Sequence, residues 1–167
     1  MLLVIDVGNT NIAIGVYKGS RLAANWRLRT QRGRTPDEYG VYLRELLEHA
    51  GISFSDITGI AISNVVPPAA SALLETGRKF FQIDAYLVDP AKEASIRICY
   101  EPKSAVGADR IVNAVAAHTL YGGPAIVVDF GTATTFDAIS EEGDYLGGSI
   151  APGIGISLEA LFRSASR

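Results

Sequence analysis

The chain has 167 residues, 48% hydrophobic and 8% aromatic, enough apolar material for one domain or two small ones, which excludes an intrinsically disordered polymer. Fifteen Lys and Arg against 18 Asp and Glu leave a formal charge of −3, a balance that advertises neither nucleic acid nor an anionic membrane as partner. The single cysteine, Cys99, cannot form an internal disulfide, no leader is recognisable, and no apolar run approaches the roughly 20 residues that cross a bilayer. The expected compartment is therefore the cytoplasm.

Residues 1–5 form a continuous apolar run, the pattern of a strand buried on both faces. Asp6-Val7-Gly8-Asn9-Thr10-Asn11 makes a tight turn, residues 12–17 resume as a second strand, Lys18-Gly19-Ser20 turns again, and residues 21–29 read as a third strand. Thr35-Pro36-Asp37-Glu38 is a helix start, with Thr35 as cap, Pro36 in the first helical position and Glu38 closing a capping box. The helix runs through Tyr39, Leu43, Leu46 and Leu47 to Ala50-Gly51. Residues 57–63 are a strand, 69–81 a helix and 85–88 a short strand. This β-β-β-α-β-α-β order predicts a mixed sheet with helices on its faces. Gly107-Ala108-Asp109-Arg110 then leads into an apolar helix over residues 111–118, equally suited to a core or an interface, which Gly122-Gly123-Pro124 breaks. Residues 125–128 read as a buried strand.

A repeat emerges here. Val4-Ile5-Asp6-Val7-Gly8-Asn9-Thr10 aligns with Val127-Val128-Asp129-Phe130-Gly131-Thr132-Ala133, and each copy continues with a strand, a Gly-containing turn (Gly19, Gly143) and another strand. One Asp-x-Gly turn is usually an ordinary turn. Two, each at the end of a strand and before a hairpin, point to a duplicated domain. Gly8 and Gly131 let backbone approach a ligand closely. Asn9, Thr10 and Asn11 in one copy, and Thr132, Thr134 and Thr135 in the other, offer donors to phosphate oxygens. Since a carboxylate repels phosphate, Asp6 and Asp129 require a cation between themselves and the anion.

Asp109 begins a helix in a turn whose N–H groups, with the Arg110 guanidinium, suit an acidic substrate. It reads either as a helix cap or, beside a kinase site, as the base for a substrate hydroxyl. Arg27, Arg29, Arg32 and Arg34 form a basic run that reads as a solvated face. His49 and His118 lack partners at metal-ligand spacing. Cys99 reads as a packing residue, and no Walker-type phosphate loop is present.

Together, Asp6-Val7-Gly8-Asn9-Thr10-Asn11, Gly107-Ala108-Asp109-Arg110, Asp129-Phe130-Gly131-Thr132-Ala133-Thr134-Thr135 and Gly147-Gly148-Ser149-Ile150-Ala151-Pro152-Gly153 resemble, in order, the motifs of type III pantothenate kinases. The resemblance implies an α/β fold of the ribonuclease-H-like, actin-like ATPase kind, a mixed sheet with flanking helices, duplicated. The first domain is expected over residues 1–115 and the incomplete start of its duplicate over 116–167. It implies ATP-dependent phosphorylation of pantothenate to 4'-phosphopantothenate, the first step toward coenzyme A. Carried onto this sequence, ATP binds at Asp6, Val7, Gly8, Asn9, Thr10, Asn11, Ile12, Ala13 and Thr132, and the substrate at Tyr100, Gly107, Ala108, Asp109 and Arg110. Asp109 is the proton acceptor, Asp129 holds potassium or ammonium, and Asp6 helps to hold magnesium. Arg110 suits the pantothenate carboxylate. The family is a cytoplasmic homodimer in which the neighbour completes the pocket.

The alternatives are another small-molecule kinase of the superfamily, or a non-catalytic homologue resembling an accessory transcription factor. The substrate turn at Gly107 to Arg110 argues against the first, and retention of Asp6, Asp109 and Asp129 against the second. Family members run on beyond this chain, and the helix-like pattern at Leu158-Glu159-Ala160-Leu161-Phe162-Arg163 has no terminator. The C-terminal part is accordingly expected to be poorly packed or to bury its apolar face against another molecule.

Overall fold

Two antiparallel meanders, each led by an apolar strand ending in a carboxylate, organise the chain. The computed structural model describes residues 1–92 and 95–165. It divides into two compact units, Met1–Val88 and Asp89–Arg167.

In the first unit β1 (Leu2–Val7), β2 (Asn11–Lys18) and β3 (Arg21–Arg29) form the meander, followed by α1 (Pro36–His49), β4 (Gly59–Asn64), α2 (Pro67–Thr76) and β5 (Tyr86–Leu87). The sheet order is β3-β2-β1-β4-β5, with β1 antiparallel to β2 and parallel to β4. Leu3, Ile5 and Val7 are buried in alternation, as are Ile12, Ile14 and Val16, and they share a core with Tyr39, Leu43 and Leu47 of α1 and Ala69 and Leu73 of α2. Burial of β1 is thus one-sided, against the expectation of two buried faces: Leu2 is 43% exposed and Asp6 is exposed. The alternation follows from the pleat, because both helices pack on the face that carries Leu3, Ile5 and Val7.

The expected capping box is present. Thr35 Oγ1 accepts from the Glu38 N–H at 3.3 Å, and Glu38 Oε2 accepts from the Thr35 N–H at 2.7 Å. Helix α2 ends earlier than expected, at Thr76, and continues as one wider π turn over Gly77–Phe81, closed by Gln82 in the left-handed region. Arg34 departs from the basic run. Arg27, Arg29 and Arg32 are exposed, but Arg34 is buried, its guanidinium carbon lying 4.4 Å from the Tyr42 ring centre and 5.4 Å from that of Tyr39. Stacking on aromatic faces is what allows a guanidinium to leave water there.

The second unit contains α3 (Ala108–Tyr121), the meander β6 (Ala125–Phe130), β7 (Ala133–Ile139) and β8 (Tyr145–Pro152), and α4 (Ile154–Ser164). Ile111 and Ala114 of α3 pack with Ile96, Ile98, Val106, Ile139 and Tyr145. This is why the units part at Val88 and Asp89, whereas the boundary expected at 115/116 falls inside α3: the helix supplies the core of the second unit. Cys99 N–H donates to the Tyr145 carbonyl at 2.8 Å and Tyr145 N–H to the Arg97 carbonyl at 2.9 Å, tying residues 97–99 to the start of β8. Strand β6 was expected to be buried, but only the face carrying Ala125 and Val127 packs on the core; Ile126 is 64% and Phe130 71% exposed. No residue of α4 is buried.

The capping box makes a direct test of this local reading. Replacing Thr35 with Ala removes the acceptor for the Glu38 N–H, and the expected cost is about 1 kcal/mol, read as a lower urea midpoint with an unchanged m-value.

Candidate active site

The two Asp-x-Gly turns follow one plan, the second shorter by one residue. In the first, Gly8 N–H donates to the Asn11 carbonyl at 3.0 Å, and Thr30, just past the third strand, donates its N–H to the Thr10 carbonyl at 2.9 Å. In the second, Gly131 N–H donates to the Ala133 carbonyl at 2.9 Å, and Gly153, just past β8, donates its N–H to the Thr132 carbonyl at 3.0 Å. Each meander therefore ties its turn back with its own third strand. Asp6 pairs across the ladder with Ala13, and Asp129 with Thr135, so each carboxylate stands one residue before the end of its strand. Val7 and Ile12 are fully buried, so they can offer a ligand only main-chain groups. Asn9, Thr10, Asn11 and Ala13 are exposed, as are Asp129 and Thr132.

Gly153 packs its backbone directly against the second turn. A Cβ there would lie 2.3 Å from the Gly131 carbonyl oxygen and 2.4 Å from that of Thr132, so the second turn can rest on β8 only because the position has no side chain.

The Gly107-Ala108-Asp109-Arg110 turn caps α3 through Gly107, which is the N-cap, and Asp109 lies within the first turn. Asp109 is thus not the cap. Its Oδ1 accepts from the Arg110 N–H at 2.8 Å. Burial pushes the Asp109 carboxyl above its ordinary value, and the charges of Asp129 and Asp137 add to the rise, while the Arg110 N–H and guanidinium oppose it. The second unit therefore places Asp109, Arg110 and Asp129 within electrostatic reach of one another.

Beside them lies a group of residues that sequence reasoning passed over. Asp137 is completely buried, and its Oδ1 accepts from Arg110 Nε at 2.7 Å and the Tyr145 hydroxyl at 2.7 Å, with Arg110 Nη2 lying 2.6 Å away in the same ion pair. Thr135 Oγ1 donates to Oδ2 at 3.3 Å. Burial and the bond to Asp137 raise the Tyr145 phenol far above its ordinary value, so it stays a donor. Gly148 leaves the room: a Cβ there would sit 2.0 Å from the Phe136 carbonyl oxygen and 2.5 Å from Arg110 Nη2. The one available signal was the glycine pair Gly147-Gly148 facing an Asp mid-strand.

Tyr100 is 45% exposed, with a ring carbon 3.5 Å from where a Gly147 side chain would begin. Cys99, expected to pack, is exposed, because its N–H rather than its side chain anchors the segment. His118 Nε2 lies 3.1 Å from the Glu141 carbonyl oxygen. Among the described residues no three His, Cys, Asp or Glu gather as a metal cluster, and no helix is long and apolar enough to cross a membrane.

The sequence profile of the family described as type III pantothenate kinase matches residues 2–167. The chain belongs to the type III pantothenate kinase family. It is 53% identical, over all of its 167 residues, to a type III pantothenate kinase of Halalkalibacterium halodurans, and spans 66% of that relative's length. Among solved structures it is similar to the ethanolamine utilization protein EutJ of Carboxydothermus hydrogenoformans, with a TM-score of 0.55 and 16% identity over 96% of this chain and 56% of that one. It also resembles the Ppx/GppA phosphatase of Aquifex aeolicus, with a TM-score of 0.55 and 16% identity over 96% and 55% of the two chains. The activator of 2-hydroxyisocaproyl-CoA dehydratase from Clostridium difficile, solved with bound ADPNP, gives a TM-score of 0.55 at 12% identity over 90% and 45%. At such identities these likenesses establish the fold alone. It is the α/β, ribonuclease-H-like fold of actin-like ATPases, with the meander present twice.

Glycine replacement separates the tight position from an open one. Gly148→Ala forces a methyl group against the β7 backbone and Arg110, and should cost about 1–3 kcal/mol as overpacking. Gly155→Ala in α4, with nothing within 4 Å, should leave the thermal midpoint unchanged or slightly raised. Equal midpoints for the two variants would contradict the packing described.

Proposed function

We propose that the full-length protein transfers the γ-phosphoryl group of ATP to the primary hydroxyl of pantothenate. The observation that carries this reading is Asp109: a partly buried carboxylate, raised above its ordinary value, at the start of a helix and next to Arg110. A base with an elevated pKa accepts a hydroxyl proton more readily than an ordinary solvated carboxylate, and phosphoryl transfer otherwise asks mainly for positioning and charge neutralisation. Asp109 takes the proton from the attacking hydroxyl. The first-turn N–H groups of α3 and the Arg110 guanidinium hold the substrate's acidic end. The Asp6 to Ala13 turn and Thr132 bind the phosphates through N–H and hydroxyl donors.

Single carboxylates at the ends of β1 and β6 fit the cations that the family implies. Magnesium on a nucleotide keeps several waters and needs only one or two protein carboxylates beside the phosphate oxygens; Asp6 would hold it. Asp129, with the carbonyls and hydroxyls of its turn, would hold a monovalent cation, potassium or ammonium. Bound there, the cations neutralise phosphate charge. The activity named for the relative, type III pantothenate kinase, and the ADPNP in the dehydratase activator support this reading, as do the carboxylates Asp6, Asp109 and Asp129. A homodimer and a cytoplasmic location complete the proposal.

ADP release measured with ATP, magnesium and pantothenate should require pantothenate and should be faster in potassium than in sodium. A full-length protein that releases no pantothenate-dependent ADP would overturn the reading. Asp109→Asn should lower turnover about 10²-fold or more with ATP affinity retained. The active form is the carboxylate, so wild-type activity is full above the raised pKa and falls as the pH drops through it, in a window above the ordinary value of 3.8. In the fold, this charge is disfavoured at neutral pH. Its removal in Asp109→Asn should therefore leave the thermal midpoint unchanged or higher, and a large drop would count against burial as the main cause of the shift.

A further inference from the structure

We infer that Asp137 is a positioning residue for substrate specificity, a buried carboxylate that holds the Arg110 guanidinium in the one orientation able to receive the substrate's carboxylate. The inference rests on the kinase reading above and extends it to a residue in the middle of β7.

A free arginine on the first turn of α3 has carboxylates close by, since Asp109 and Asp129 both act on the same small region. Left to itself, the guanidinium would pair with whichever of them is nearest, and it would then be unavailable to an incoming anion. Asp137 prevents this by occupying the edge of the fork formed by Nε and Nη2. Nε donates to Oδ1 at 2.7 Å, and Nη2, 2.6 Å from the same oxygen in the ion pair, donates to the Phe136 carbonyl at 3.4 Å. Nη1 has no hydrogen-bond partner among the described residues and is the group left for a ligand.

Asp137 is itself held in place. The Tyr145 hydroxyl meets the same oxygen at 2.7 Å, and Thr135 Oγ1 donates to the other. Cross-strand neighbours reinforce the arrangement, since Asp137 is paired with Gly148, whose missing side chain is what admits Nη2. The guanidinium lies 5.9 Å from the Tyr145 ring centre as well. As a contribution to stability alone, a largely buried ion pair is a poor choice, because well-packed apolar residues of the same volume do about as well. Its value lies in pre-organisation: the side-chain entropy of a long arginine is lost during folding rather than during binding.

The test compares pantothenate with panthenol, which keeps the phosphorylated hydroxyl and has a neutral alcohol in place of the carboxylate. In the full-length enzyme, Asp137→Asn should raise the KM for pantothenate about tenfold to a hundredfold, the range expected for loss of one charge-assisted hydrogen bond, with little change in the KM for ATP. The ratio of kcat/KM for pantothenate to that for panthenol should fall about tenfold or more. In an Arg110→Gln background, where no buried guanidinium is left unpaired, adding Asp137→Asn should not change that ratio further, because the two residues act as one unit. Equal losses on both substrates would show that Asp137 acts only through stability, and a further fall of the ratio in the double variant would show that it acts independently of Arg110; either result would overturn the inference. Wild-type enzyme that turns over neither compound would overturn the kinase reading itself. Wild type active on both with no preference for pantothenate would leave the kinase reading standing and defeat the role given to Arg110 and Asp137.

Discussion

The tight turn that follows the first strand of each meander is the constraint to which the remainder of the structure answers. Such a turn must leave N–H groups free for a ligand while satisfying enough of its own backbone to stay folded. Here the solution is the same twice: the glycine N–H is returned to the turn, and the residue that follows the third strand donates to the turn's carbonyl. Once the turn is tied to the third strand, the register of all three strands is fixed, and with it the position of the carboxylate one residue before the turn. A slip of one residue in β1 would turn Leu3, Ile5 and Val7 outward and bury Asp6 against the residues of α1 and α2, where an unpaired charge costs far more than any ladder gains.

Much of this was legible in the sequence, for physical reasons. Asp-x-Gly after an apolar run marks a strand end whatever surrounds it, and the capping box at Thr35 and Glu38 is set by four consecutive residues, so both could be read locally. One-sided burial of β1 and β6 could not. A run such as Leu2-Leu3-Val4-Ile5 has no polar residue to mark which face meets water, and the answer depends on where α1, α2 and α3 dock. The same holds for Arg34, which the sequence groups with three solvated arginines and which the structure places against Tyr39 and Tyr42. Whether α3 belongs to the first unit or the second likewise rests on contacts of Ile111 with residues distant in sequence.

In the candidate site the legible and illegible residues differ in the same way. Asp6, Asp109 and Asp129 stand beside glycines at element ends, positions at which backbone exposure and charge coincide, and so they announce themselves. Asp137 lies inside Thr134-Thr135-Phe136-Asp137-Ala138-Ile139, where an acid in alternation reads as the solvent side of a strand. Only the fold shows that this side faces α3, and that the partner making burial tolerable comes from 27 residues earlier in the chain.

Asp109 and Asp137 form a pair of environments rather than a pair of equal groups. Both are withdrawn from water within one unit, and withdrawal alone would push each toward the neutral form. Asp137 accepts three hydrogen bonds and is ion-paired with the guanidinium; Asp109 accepts the Arg110 backbone N–H, and the guanidinium that would have paired with it is already engaged. The arginine is thus divided between the two carboxylates by geometry: its backbone N–H goes to Asp109, and its guanidinium is turned toward Asp137 and the Phe136 carbonyl. A site that needs a proton acceptor and an anion receptor side by side has to keep them from neutralising each other. A third charge, buried where the substrate cannot reach it, does so without competing for the ligand.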